Sequence, residues 1–310
     1  MKLSRLVNVF IICTLVATFL LLLTACSSGT PGNKSDVIAT AAQSAEDSLS
    51  VLLLARDVDI NDKRIPMIVM LAGSQDTILE DRAQDLVFRY RHLDDADFEP
   101  LPEVTWRSWP IRSGVYTGVP AFNRAGVWEF QVKLTENGHT RTGSSFLQVA
   151  EDSDSPGIGD HAPATITKTA TTIDEVKLIS SALHPDPRFY SISLDAALAS
   201  GKPTVVLFST PAFCVSQTCG PQLDTLGKVV DTYGDRINFI HVEIFDNISE
   251  MLDTGDSSIG IVAQPVKDWG LITEPFTFFI SANGIVTARF EQYTTLKELQ
   301  QAAESVLNAG

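Results

Sequence analysis

Cys214 and Cys219 are the side chains best suited to chemistry, two thiols with four residues between them in the run Ala212-Phe213-Cys214-Val215-Ser216-Gln217-Thr218-Cys219-Gly220-Pro221. Of the four cysteines, Cys13 sits inside the apolar stretch 6–23 and Cys26 just after it, so this pair alone falls in the body of the chain. In an oxidising compartment cysteines this close normally pair, and the product is either an exchangeable disulfide or a structural clip. The spacing constrains the backbone. If both residues were helical, five steps of about 100° would set them roughly 140° apart, a poor geometry for a bridge. Cys214 is therefore expected in a turn, with Cys219 in or near the first turn of a helix. His241 and Glu243 lie two apart in an apolar run and share one face if that run is a strand. Two thiolates and His241 could complete a copper site, although a hydrogen-bonded, partly buried imidazole is the simpler expectation. His92 and His139 are expected as solvated loop or edge residues.

The elements that must hold the pair are legible around it. Residues 203–209 form a short, mostly apolar run suited to a buried parallel strand. After the cysteines a helical pattern covers 222–233, with Leu223, Leu226, Val229 and Val230 on one face. A second apolar strand follows at 237–244. Strands at 276–280 and 285–290 are joined through Ser281-Ala282-Asn283-Gly284, an Asn-Gly hairpin signal, and a helix at 296–307 closes the pattern. Residues 246–267, acidic at Glu250, Asp253 and Asp256, read as a solvated insertion. Further upstream, about seven short alternating runs (50–56, 65–71, 85–91, 104–109, 114–117, 127–134 and 144–149) with no long helix suggest an immunoglobulin-like β-sandwich, in which Trp128 and Phe130 face the core. Residues 151–172 turn to Asp, Ser, Pro, Gly and Thr without apolar period, as a linker does. The organisation is thus 48–150 for an all-β domain, 151–172 for a linker and 173–310 for an α/β domain.

The N-terminus speaks to compartment. A basic start at Lys2 and Arg5 precedes the apolar stretch, and Leu23-Thr24-Ala25-Cys26 resembles the bacterial lipobox. That resemblance implies a signal peptide over 1–25, acylation of Cys26 and a tether over 26–47; an uncleaved membrane anchor is the competing reading. Both put the remainder outside the cytoplasm, held to a membrane. The chain has 23 basic and 38 acidic residues, and losing Lys2 and Arg5 leaves 21 against 38, a net charge of −17. Such a charge argues against nucleic acid as a partner.

Residues 173–310 resemble the thioredoxin superfamily. Phe208-Ser209-Thr210-Pro211-Ala212-Phe213-Cys214 is similar to the family's strand end and aromatic–cysteine turn, and Trp269-Gly270-Leu271-Ile272-Thr273-Glu274-Pro275-Phe276 to the segment ending in its cis-proline. The resemblance implies an α/β thioredoxin-like fold, a redox role for Cys214 and Cys219, and a substrate-binding surface at Pro275, Glu274 and Phe213. It also implies that Pro275 frees the preceding backbone for substrate and keeps metal off the thiols. No cofactor or resident metal is expected; the partners expected are protein or small-molecule thiols and disulfides. The chain departs from the pattern twice. Four residues separate the cysteines where the family has two, so either Cys214 matches the family nucleophile, the preferred alignment, or Cys219-Gly220-Pro221 does. The acid that assists proton transfer in the family's central strand is replaced by Leu207.

Overall fold

Apolar alternation in the N-terminal half folds into strands that pair into two sheets. The computed structural model describes residues 48–72, 77–111 and 113–309; the lipobox, Cys26 and the tether lie outside them. One antiparallel sheet has the order β1-β2-β6-β5, built from β1 (Leu49–Leu53), β2 (Ile65–Leu71), β5 (Thr105–Ser108) and β6 (Gly114–Gly118). The other has the order β4-β3-β7-β8, from β3 (Leu86–His92), β4 (Glu99–Pro100), β7 (Gly126–Glu136) and β8 (His139–Val149). The two share one apolar core. Trp128 and Phe130 face it as expected, 4% and 1% exposed, and Phe88 of one sheet meets Tyr116 of the other at 5.1 Å between ring centroids.

Two expectations here need correction. β8 begins at His139, five residues before the expected start, because Asn137 and Gly138 both adopt positive φ (51° and 79°) and make a two-residue hairpin that pairs β7 and β8 from Glu136↔His139 to Gly126↔Val149. His92 is buried, not solvated: its ring stands edge-on to Trp128 at 5.4 Å, its Nε2 lies 3.2 Å from the Ala125 carbonyl, and Nδ1 accepts the Asp94 N–H. His139 is exposed.

The C-terminal half is a four-stranded mixed sheet of order β10-β9-β11-β12, from β9 (Thr204–Phe208), β10 (Asn238–Val242), β11 (Phe276–Ile280) and β12 (Val286–Glu291). β10 runs parallel to β9, while β11 and β12 are antiparallel. All five residues of β9 are buried, the pattern of a strand covered on both faces. On one face lie helix α3 (Cys219–Tyr233) and helix α6 (Leu296–Leu307), which bring Leu223, Leu226, Leu299 and Val306 onto Val205, Leu207 and Phe279. On the other lies α2 (Leu194–Ala199), with Phe208, Trp269 and Phe278. A single turn, α1 (Ile173–Val176), closed by a Thr172/Glu175 capping box, precedes them. Residues 246–267 are more than a solvated insertion. They contain α4 (Ile248–Thr254) and α5 (Gln264–Asp268) and bury Ile248, Met251 and Val266, while Glu250, Asp253 and Asp256 stay exposed.

The described residues, from Ser48 to Ala309, fall in one compact unit. Residues 151–172 carry no strand or helix, yet Gly159 N–H donates to Val286 O and Val286 N–H to Asp160 O, which covers the start of the β12 edge. Arg289 of β12, 2% exposed at its side chain, reaches three carboxylates of the β1–β2 connection: Asp57 at 3.3 Å, Asp62 at 3.3 Å and Asp59 at 3.8 Å. Arg64 pairs with Glu298 at 2.9 Å. Among the described residues no helix is long and apolar enough to cross a membrane.

Candidate active site

β9 ends at Phe208, and the chain then makes an irregular turn before α3. Helix α3 starts at Cys219, three residues before the expected start. Pro221 tolerates this, because at the third helical position its missing N–H is one the first turn could not pair anyway. Cys214 lies in the turn, half-buried, and Cys219 is the first helical residue, with no exposure. They form a disulfide, their Cα atoms 6.0 Å apart. Cys219 N–H donates to Cys214 Sγ at 3.3 Å, and Ser216 Oγ lies 3.2 Å from the same sulfur. The sulfur of the outer cysteine is thus met by a helix N-terminal amide, the arrangement that stabilises a thiolate.

The inner cysteine faces a carboxyl group. Cys219 Sγ lies 3.5 Å from Glu274 Oε2, which also accepts the Thr210 N–H at 2.5 Å. Burial pushes the Glu274 carboxyl up to about 7, the Thr210 hydrogen bond opposes this, and the charge of Glu243 raises it further. Glu243 is itself pushed up to about 7 by burial, against hydrogen bonds from Ser181 and Thr210. It accepts Ser181 N–H at 2.5 Å, Ser181 Oγ–H at 2.8 Å and Thr210 Oγ1–H at 2.5 Å. Thr210 therefore joins two acids, its amide to Glu274 and its hydroxyl to Glu243.

Leu207 in the central strand is wholly buried among apolar side chains. A carboxyl group nevertheless reaches the pair, from the neighbouring loop. The sequence clue was Glu274 directly ahead of Pro275, in a segment expected to face the cysteines. The Glu274–Pro275 peptide bond is cis, Pro275 is buried, and its carbonyl accepts Gln292 N–H at 2.9 Å. Phe213 is half-buried in the turn, one residue before Cys214.

His241 does not join the sulfurs. Nδ1 lies 2.6 Å from the Tyr190 hydroxyl and Nε2 lies 2.9 Å from Ser209 Oγ and 3.0 Å from Ser209 O. Burial lowers its pKa to about 4, so it is neutral. A cavity of about 430 Å³ opens at the outer edge of β10 and includes Glu243 in its wall, but not the cysteines. Among the described residues, Cys214 Sγ, Cys219 Sγ and a Glu274 oxygen are the three potential ligand atoms that come together, all within 4.8 Å of one another, with the two sulfurs joined as a disulfide.

No family model matches the chain, and no curated protein matches it. Solved structures similar to it include a Chlorobium tepidum protein assigned as the thiol:disulfide interchange protein DsbE, 16% identical over 49% of this chain and 99% of that one, with a TM-score of 0.35. A thioredoxin family thiol:disulfide interchange protein from Chlorobium tepidum TLS is 18% identical over 47% of this chain and 99% of its own, at 0.30. StoA from Bacillus subtilis is 16% identical over 40% and 93%, at 0.28. In this chain, strand, cysteine turn, helix and parallel strand are followed by the antiparallel pair β11–β12 and helix α6, and that order makes its C-terminal part thioredoxin-like in fold.

Proposed function

We propose that the chain is a membrane-tethered, extracytoplasmic thiol–disulfide oxidoreductase acting through Cys214 and Cys219. The observation that carries this is the asymmetry of the pair: one cysteine half-buried in the turn with its sulfur met by a helix amide, the other buried beside a carboxyl group whose pKa is pushed up to about 7. In the reductive direction the Cys214 thiolate attacks a substrate disulfide, forms a mixed disulfide and expels the first substrate thiolate. Cys219 then gives its proton to Glu274 and attacks Cys214 Sγ. The second substrate thiolate leaves, two electrons have passed to the substrate, and the protein holds the disulfide. Phe213, Glu274 and Pro275 bound the surface where the substrate chain would lie.

In this reading Cys26 is acylated after removal of residues 1–25, residues 26–47 are the tether, and the domains are 48–150 and 173–310 with 151–172 between them. The order β1-β2-β6-β5 follows the A-B-E-D sheet of an immunoglobulin constant-type domain, and β3-β7-β8 follows its C-F-G sheet with β4 added at the edge, which supports an immunoglobulin type for the first domain. The test is the reduction potential of the pair in thiol buffers. A value of roughly −120 to −270 mV supports exchange, whereas one below about −300 mV marks a structural bridge.

A further inference from the structure

We propose that the reduced pair is a binding site for a divalent metal of zinc-like softness, held by Cys214 Sγ, Cys219 Sγ and a carboxylate oxygen of Glu274. No other group of three cysteine, histidine or acidic ligand atoms among the described residues comes together in this way. The spacing fits. Ligand distances of about 2.3 Å to sulfur and 2.1 Å to oxygen put those two donors about 3.6 Å apart on a tetrahedral zinc, and Cys219 Sγ already stands 3.5 Å from Glu274 Oε2. Once the disulfide opens, the two sulfurs must separate to about 3.8 Å on the same metal. The sulfur free to move is that of Cys214, in a turn whose next residue, Val215, is 95% exposed.

The donor set selects the ion. Both nitrogens of His241 are engaged by Tyr190 and Ser209, so no imidazole is offered. Two thiolates with a carboxylate suit zinc better than monovalent copper, which favours sulfur and nitrogen. The half-buried Cys214 side leaves the fourth position open to water. The resemblance to thioredoxins implies a proline that shields the thiols from metal; here the residue ahead of that proline brings an oxygen donor to the inner sulfur. Binding displaces the protons carried by the two thiols and by the Glu274 carboxyl group and consumes no electrons. Oxidation of the pair by a disulfide takes two electrons from the same sulfurs and frees the metal, so the site exists only in the dithiol state and withdraws that state from exchange while occupied.

The inference needs the pair to be reducible, as the oxidoreductase reading does, but the two fail separately. The full chain is reduced under argon, its thiols are counted, and Zn²⁺ is titrated against a chromophoric chelator, with Co²⁺ as a spectroscopic probe. The reduced protein is expected to take up one zinc that the oxidised protein does not, and to give a thiolate-to-cobalt charge-transfer band. Glu274→Gln is expected to weaken zinc binding by at least the roughly 10- to 100-fold typical of losing an outer-shell partner, with its circular dichroism unchanged, and Cys214→Ser to abolish it. No uptake by the reduced chain, uptake that survives Cys214→Ser, or parent-like affinity in Glu274→Gln overturns the site. Exchange of a model disulfide, run with chelator present, decides the oxidoreductase reading independently.

Discussion

Replacing Glu274 by glutamine should make the oxidised protein more stable and less able to resolve a mixed disulfide. The carboxyl sits at about 7 in the fold against 4.5 in a solvated chain. At 1.36 kcal/mol per pH unit, ionising it in the folded state therefore costs on the order of 3 kcal/mol more than ionising it in the unfolded chain. The sign follows from proton uptake. Below about pH 4.5 the group is protonated in both states and contributes nothing, between 4.5 and 7 the unfolded state is increasingly favoured, and above 7 the penalty is complete. Glutamine keeps an oxygen for the Thr210 amide and carries no charge, so the parent should lose up to ~3 kcal/mol between pH 4.5 and 8 relative to the variant. Catalysis moves the other way. A positioned base contributes roughly 10²- to 10⁴-fold to a proton-transfer step, and the resolving attack by Cys219 should slow by that order. Urea unfolding of the oxidised protein across this pH range reads the first effect, and single-turnover decay of the mixed disulfide reads the second. A variant that parallels the parent at every pH, in stability and in rate, refutes the coupling of Glu274 to Cys219.

The assignment of the two sulfurs predicts that Cys219→Ser accumulates a mixed disulfide between substrate and Cys214, visible by mass spectrometry, while Cys214→Ser accumulates none. A trapped species on Cys219 in the second variant would reverse the roles. Arg289→Ala leaves Asp57, Asp59 and Asp62 buried without their cation and should lower stability by about 3–5 kcal/mol in urea. Burial pushes Asp62 up to about 7, Arg289 opposes this, and Asp59 and Asp57 raise it; the deficit should therefore be greatest above pH 7 and shrink as Asp62 takes up a proton. A deficit flat from pH 5 to 8 would mean that the three aspartates do not act as a charged group.

Elements with strong local patterns were legible. β2, β11 and α6 have the bounds expected from their apolar runs, and α6 is fixed by a Thr295/Glu298 capping box just ahead of a periodic face. Where polar residues cover a pairing segment the pattern fades: His139-Thr140-Arg141-Thr142 belongs to β8, although only the Asn137-Gly138 turn hints at it. The turn position of Cys214 and the helical position of Cys219 followed from rotation per residue alone. The acid beside Cys219 did not, because it arrives from the β11 side, 55 residues away in sequence. Glu243 was seen as a strand neighbour of His241, but its tie to Thr210 depends on β9 and β10 lying side by side, which no local pattern encodes.

The contact between Arg289 and the Asp57 segment spans 232 residues of sequence. During synthesis, a chain emerging from its N-terminus shows the three aspartates to solvent long before their guanidinium partner is available. The two-sheet half can bury its aromatic core in that interval, but the acidic loop at its end closes only when β12 arrives. The finished strand and the first connection then lock together, so a stalled or truncated product is left with a hydrated, strongly negative loop in place of a buried ionic joint.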